Sequence, residues 1–441
     1  MAKPPGRASL WRNPDYVKFW TGESVSQVGS QVTLLALPLA AVLTLDASPW
    51  QMGVLNAASY LPFLLLTLFV GVWVDRARRR PAMVASALGR SAVLFSIPLL
   101  SAAGLLGMGY LYAAAFVLGV LTVVFEVTWQ AYLPTLVDRD ELVEANSTLQ
   151  VSTSAAQVAG PALAGWLVAL LTAPVALLVD ACSFLVSTAT LAAIRRPEPA
   201  REVPAADGTP KEPVLRSIRA GLRFTLGDAR LRACVLEAGT YNLFWLVLET
   251  TFLLYATHRL GMSPTLIGVV LGGGAVGALL AATVAGRLSA RLGIGNTVTL
   301  SMVVGCAAPL LVPLAGGPRP VEVGLLVLSF FVGGAGSTVA NIQVVSLRQA
   351  ITPDSMLGRM NASYRFVSWG TVPVGALLGG WLGSAAGLRA ALVVGAIGVL
   401  ASALWIVFSP IRSLRELPPP ADAATTPPGG DETGPTLQQT H

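Results

Sequence analysis

Between residues 17 and 409 the chain passes through a dozen long stretches that are nearly free of charge. A helix rises about 1.5 Å per residue, so roughly twenty apolar residues cross the hydrocarbon layer of a bilayer. Within that layer each backbone amide must find its partner inside its own segment, which leaves helices or closed barrels. The stretches are 17–44, 51–74, 81–103, 109–130, 143–171, 174–194, 232–257, 264–287, 296–315, 321–345, 357–383 and 388–409. Ten-residue strands of alternating polarity, the mark of a barrel, are absent. Composition agrees: 54% of the 441 residues are hydrophobic and 12% charged, against about 25% charged in soluble domains. The expectation is an all-α membrane protein with twelve transmembrane helices.

Charge orients it. With the amino terminus placed in the cytoplasm, inner segments hold 24 of the 29 Lys and Arg residues. Outer loops hold only Arg259, Arg319 and Arg389, while Arg90 and Arg365 lie within spans. The positive-inside rule therefore predicts both termini on the cytoplasmic side of an inner or plasma membrane. It also accounts for the net charge of +6 without nucleic acid as a partner. The chain divides into a cytoplasmic segment 1–16, a six-helix bundle 17–194, a basic cytoplasmic linker 195–231, a second bundle 232–409 and a tail 410–441. The tail is Pro-, Thr- and Gly-rich, a composition expected to stay disordered. Cys182, Cys234 and Cys306 fall in or beside apolar spans, so no disulfide framework is expected. The polar start runs past Lys18 into a span too long for a cleavable signal peptide.

The chain repeats itself at an offset of 215 residues. Ser48, Pro49 and Gly53 fall on Ser263, Pro264 and Gly268, and Gly71 and Arg76 on Gly286 and Arg291. Phe116 and Gly119 meet Phe331 and Gly334; Leu142 and Asn146 meet Leu357 and Asn361; Gly160, Gly165 and Trp166 meet Gly375, Gly380 and Trp381. Each copy holds six spans, so both share one membrane orientation. Two parallel bundles related about the membrane normal can open a midplane site alternately to either side, which argues for transport.

The segment GVWVDRARRRP, residues 71–81, supplies the pattern G-x-x-x-D-R-x-x-R-R through Gly71, Asp75, Arg76, Arg79 and Arg80. With the duplication and the degenerate second copy, it resembles the signature loop of the major facilitator superfamily over about residues 10–410. VVFEVTWQAYLPTLV, ELVEANS, GPALAGWLV and DACSFLVST resemble the branch of enterobactin exporters and macrolide efflux proteins. Gly160, Pro161 and Gly165 in the fifth span resemble the antiporter motif of exporters, with Ala164 in place of the first glycine of its closing pair. The resemblance implies the two-bundle major facilitator fold and favours export over import. Arg78 stands where the signature loop usually has glycine, and the fourth span lacks the arginine on which many drug antiporters build their coupling, so that scheme does not carry over.

In the family the loop aspartate lies against the amino terminus of the eleventh helix and latches the bundles while the cavity faces outward. Unpaired amides at a helix start attract a carboxylate by about 0.3–1 kcal/mol. Asp75 is thus expected beside Leu357 and Gly358, Gly71 at a close helix contact, and the arginines beside Asp138, Asp140 or Glu141, or on anionic lipid. Asp75→Asn is expected to impair transport without affecting insertion.

An ionised side chain at the bilayer centre costs about 2.5–3.5 kcal/mol, so charges in the spans need partners, water or a proton. Glu23, Glu126, Glu237 and Arg365 are expected in the cytoplasmic half and Glu249 near the middle. Asp180 and Arg90 read as structural, since family architecture puts the third and sixth helices on the supporting side. Arg365 is a candidate cross-bundle partner of Glu126 or Glu23, formed when the cytoplasmic side closes. Apolar surroundings favour a neutral carboxyl and a nearby arginine a charged one, so a carboxyl alternating between them exchanges protons. Glu249, with no basic residue within a turn, is the first candidate for coupling. Gln27, Tyr241, Asn242, Phe244, Trp245, Asn341, Gln343, Tyr364 and Trp369 suit a sizeable, partly apolar ligand needing few specific contacts.

No phosphate-binding G-x-x-x-x-G-K-[ST] loop occurs, His258 and His441 have no metal-ligand spacing, and no nucleophile and base are paired. Neither enzyme activity nor a cofactor is expected. The sequence reads as a secondary active exporter of a drug-like or siderophore-like small molecule, with protons as coupling ion and lipid as surroundings. An importer or facilitator on the same scaffold, or a non-transporting membrane receptor, are the alternatives.

Overall fold

The computed structural model describes residues 10–74, 77–138, 140–196, 214–416 and 418; the expected disorder of the tail therefore concerns residues almost wholly outside this set. The described chain is helical throughout. The first half comprises α1 (Pro14–Leu45), α2 (Pro49–Val74), α3 (Arg79–Ala102), α4 (Met108–Leu136), α5 (Leu142–Leu171) and α6 (Ala173–Ala192). A connecting helix, α7 (Val214–Gly227), precedes α8 (Ala229–Leu254), α9 (Pro264–Leu292), α10 (Ile294–Ala307), α11 (Arg319–Ile351), α12 (Asp354–Ala385) and α13 (Leu388–Ser402). Among the described residues ten helical spans are long and apolar enough to cross a membrane. The other two, α2 and α8, have 26 residues each. Glu237, Asn242 and Glu249 make α8 unusually polar for its length.

Helix starts follow local chemistry. Asn13 accepts hydrogen bonds from the amides of Asp15 and Tyr16, both 3.1 Å, with Pro14 at the first helical position. The repeated Ser-Pro pair opens α2 and α9 alike: Ser48 Oγ accepts from Gln51 N at 3.3 Å and Ser263 Oγ from Leu266 N at 3.4 Å. The eleventh span begins at Asp354, three residues before the expected Leu357. Pro353 explains this, because it holds Thr352 extended (φ −107°, ψ 123°) and restarts the helix at once. The ninth span ends as a 3₁₀ turn, Ala308–Leu314, where Pro309 and Pro313 remove amide donors. The linker, expected only to join the halves, contains α7. It lies so close to α12 that a Cβ on Gly221 would sit 2.5 Å from the Arg359 carbonyl oxygen.

In the first bundle α1 packs on α5 and α6, α3 on α4 and α6, and α2 on α4; in the second α11 packs on α9 and α10, and α8 on α12 and α13. The bundles meet through α2 with α12 and α5 with α9. Large apolar side chains such as Phe69, Leu99, Val151 and Leu170 stay exposed on this assembly, an exterior suited to lipid rather than water.

The cores reveal how the halves are disposed. We call the end bearing the first and last described residues the terminal face. Toward the other end a single buried cluster runs through both bundles, from Val32, Leu39, Leu94 and Ala176 to Leu248, Phe252, Ile267 and Leu392. Toward the terminal face the clusters stay within one bundle each, the two larger built from Tyr16, Phe19, Phe125 and Tyr132 and from Cys234, Val298, Val344 and Ile406, the smaller around Val70 and Val123 and around Ala281 and Val339. The apolar seal is thus continuous at the opposite face and split at the terminal face.

Candidate functional site

Three cavities lie between and beside the bundles. The first, about 550 Å³, lies between α2 and α4 on one side and α12 on the other; Glu126 and Arg365 line opposite walls, with Phe63, Gln130, Asn361 and Trp369. The second, about 430 Å³, is formed by both bundles around Glu249, with Asn56 and Gln157 from the first and Tyr241, Trp245 and Phe330 from the second. The third, also about 430 Å³, lies inside the second bundle among α8, α10, α11 and α12, and holds Glu237, Tyr241, Asn242, Asn341, Tyr364 and Trp369. Trp369 is common to the first and third, and Tyr241 and Ser337 to the second and third. They are therefore lobes of one compartment.

The aromatic residues hold one another in place. Tyr241 stacks on Trp245 with 5.8 Å between centroids and 6° between planes, and Trp245 meets Phe330 edge-on at 6.3 Å. Trp369 on α12 stacks on Phe63 of α2 at 6.0 Å, which places an aromatic pair across the bundle boundary. Asn242 Nδ2 donates to the Ser368 carbonyl at 2.7 Å, joining α8 to α12. Tyr364 carries the Arg348 guanidinium over its ring at 3.6 Å, a cation–π contact.

Each charge has its own setting. Glu249 accepts a hydrogen bond from Trp245 Nε1 at 2.9 Å, and its side chain is exposed to the cavity although deep in the molecule. Tyr60 of α2 lies within its electrostatic range. Glu126 accepts from Trp129 Nε1 at 3.1 Å. The Arg365 guanidinium makes no hydrogen bond or ion pair with a described residue, and no ion pair joins it to Glu126 in this conformation.

Glu23 and Gln27 take a different place. Gln27 Nε2 donates to Glu23 Oε1 at 2.7 Å inside the first bundle, and neither residue lines the three cavities. Arg90, buried between the rings of Phe125 and Phe184 at 4.3 and 4.0 Å, sits within electrostatic range of Glu23, Asp180 and Glu126. Asp180 accepts from Thr33 Oγ1 at 2.5 Å and Ser183 Oγ at 2.9 Å. This cluster ties α1, α3, α4 and α6 together. Phe244 and Gln343, expected at the cavity, face elsewhere. A Cβ on Gly398 of α13 would strike the Phe244 ring, and Gln343 accepts from Ser289 Oγ of α9 at 3.3 Å.

The basic loop also differs from expectation. Asp75 and Arg76 lie outside the described residues. A Cβ on Gly71 would meet nothing within 4 Å, and the same holds for its repeat partner Gly286 and for Gly358. Among the described residues, then, none of the three glycines marks a close helix contact on the side where its Cβ would stand. Arg80 does not pair with a carboxylate of the next loop: its Nε and Nη2 donate to the carbonyls of Leu191 and Ala192 at 2.9 and 2.5 Å, where the α6 carboxy terminus attracts a cation. Asp138 instead lies 3.9 Å from Arg196. Arg79 takes part in an interaction of its own.

The fifth-span motif sits at the closed end. A Cβ on Gly165 would lie 2.3 Å from the Pro264 carbonyl and 3.1 Å from Gly268 Cα, and one on Gly268 would lie 2.3 Å from the Pro161 carbonyl. Gly160 faces inward, against Gln31 of α1. The cavities also include Asn56, Gln130 and Gln157, which were not among the expected residues. Each is a polar side chain within an otherwise apolar span.

The family model of the transmembrane secretion effectors matches residues 8–428. The multidrug efflux pump Tap of Mycobacterium tuberculosis (strain ATCC 25618 / H37Rv) is 27% identical over 412 residues, 90% of this chain and 94% of that one. The enterobactin exporter EntS of Citrobacter koseri is 25% identical over 432 residues, 94% and 97% of the two chains. Among solved structures, a bacterial homologue of the iron transporter ferroportin in its inward-facing state aligns with a TM-score of 0.71 at 19% identity, covering 90% of this chain and 98% of that one. That likeness concerns the fold.

Proposed function

Since the chain belongs to the transmembrane secretion effectors of the major facilitator superfamily, we propose that it is a secondary active exporter that expels a small drug-like molecule in exchange for protons. The observation that carries this reading is the compartment between the bundles, sealed by one shared core at one face and opening where the core divides in two. The Lys and Arg asymmetry supports assigning the terminal face, and with it both termini, to the cytoplasm. The conformation is then the one that loads cargo from the cell. Export, rather than uptake, is supported by the names of the two relatives, an efflux pump and an exporter.

Alternating access requires closure of the cytoplasmic side as the outer seal parts. Glu126 and Arg365 face each other across the open side, so closure brings opposite charges together. Glu249 lies at the junction of both bundles, with Trp245 as its hydrogen-bond donor and Tyr60 nearby. A carboxyl in such a place changes surroundings with each switch, which is the condition for carrying a proton. The signature loop with Asp75 would act as the cytoplasmic latch.

The test is efflux in proteoliposomes under an imposed pH gradient. Glu249→Gln should abolish gradient-driven transport and keep downhill exchange. Unchanged proton coupling in that variant overturns the assignment of Glu249. Uptake without efflux in right-side-out vesicles favours an importer, and no substrate movement at all favours a receptor.

A further inference from the structure

The lobe inside the second bundle has a chemistry that the exchange cycle leaves unused. Glu237 is only 7% exposed, yet it faces a cavity of about 430 Å³ and has no hydrogen-bond or ion-pair partner among the described residues. The nearby Arg348 is engaged elsewhere: its Nη2 donates to Asn361 Oδ1 at 3.1 Å and its guanidinium covers Tyr364. The cavity walls around Glu237 are Tyr241, Tyr364 and Trp369, with Asn341, Ser301 and Ser368 supplying polar edges.

A carboxylate in apolar surroundings is costly unless a counter-charge comes to it. Aromatic faces beside it attract a cation further and accept its apolar body. The whole compartment leans the same way, since among the described residues its three lobes are lined by Glu126, Glu237 and Glu249 against Arg365 alone. Such a field draws in cations and repels anions. An anionic catecholate or carboxylate chelator meets the wrong sign.

We propose that the cargo is an organic cation, a protonated or quaternary amine with an aromatic or alicyclic body, whose charge docks on Glu237 inside the second bundle. The proposal rests on the transporter reading and narrows its substrate class. It puts the charged group to the side of the bundle junction, so that cargo and Glu249 do not compete for one position.

The test is equilibrium binding to the purified full-length protein in nanodiscs, with no gradient. The probes are tetraphenylphosphonium and tetraphenylborate, which share a shape and carry opposite charge. The wild-type protein should bind the phosphonium saturably and the borate not at all. Glu237→Gln should weaken phosphonium binding by at least about tenfold, and Glu237→Asp should recover part of it, with a thermal melt confirming that both fold. Equal binding of the two probes, absence of phosphonium binding, or a Glu237→Gln variant that binds like wild type would each overturn the proposal. Phosphonium binding without gradient-driven efflux would sink the exporter reading and spare this one. Efflux without phosphonium binding would do the reverse.

Discussion

Gly53 of α2 rests against Gly380 of α12, and the 215-residue offset turns this contact into the one between Gly268 of α9 and Gly165 of α5. The four glycines are thus two copies of one joint, and the pair closes the face opposite the termini. A Cβ on Gly165 would stand 2.3 Å from the Pro264 carbonyl, where backbone cannot give way cheaply. Gly165→Ala should therefore loosen that seal while each bundle keeps its own packing. The readout is labelling of a cysteine at Asn56 by a membrane-impermeant thiol reagent added from that face, in a Cys182→Ser background. Faster labelling and slower transport are expected; labelling unchanged from the parent would remove the joint from the gate.

Glu126 and Arg365 share a cavity without touching. If they meet only when the terminal face closes, their coupling belongs to the transport cycle and not to this conformation. Glu126→Arg and Arg365→Glu should each slow transport, and the double exchange should restore much of it. The same double-mutant cycle measured by thermal unfolding should show a coupling near zero. A large coupling in stability with none in transport would mark the pair as static.

The sequence made the all-helical membrane fold and the repeat legible because both depend on side-chain chemistry summed over many positions. It even paired Gly53 with Gly268 and Gly165 with Gly380, though not the contact each makes, which depends on how the bundles lean. Glu237, Glu249 and Trp369 were found because charge and aromatic area stand out in an apolar helix. Phe244 and Gln343 were misplaced because helical register fixes which side faces the cavity only once neighbours are in place. Arg80 was misassigned for a related reason: the carbonyls ending α6 are invisible in a list of charged residues, yet they attract a guanidinium as a carboxylate does. Tyr60 gave no signal by itself, since what matters is its approach to Glu249 from the other bundle.

Arg90 should matter to folding more than to transport. It is the cation within range of Glu23, Asp180 and Glu126, and aromatic rings cover it. Removing one member of a buried charge cluster leaves the others uncompensated, at a cost of about 3–5 kcal/mol. Arg90→Met should lower the unfolding temperature of the detergent-solubilised protein well below that of Arg365→Met, whose guanidinium is exposed to the cavity. Adding Glu23→Gln to Arg90→Met should recover part of the loss. Equal unfolding temperatures for the two arginine variants would contradict this ordering.

The junction between α5 and α6 holds a residue in a conformation that suits glycine. Thr172 has φ 81° and ψ 155°, and its repeat counterpart Gly387 adopts nearly the same turn at φ 89° and ψ 158°. The two halves therefore build one turn, and the first does so with a β-branched side chain in a region that costs about 1–3 kcal/mol for such residues. Thr172 is exposed, so its side chain contributes little packing to offset that strain. Glycine would relieve it and give back part of the gain through the greater freedom of the unfolded chain. Thr172→Gly should raise stability by about 1 kcal/mol, and Gly387→Thr should lower it by a similar or larger amount. Chemical or thermal unfolding in detergent micelles measures both, and a destabilised Thr172→Gly would show that the threonine side chain holds something the turn needs.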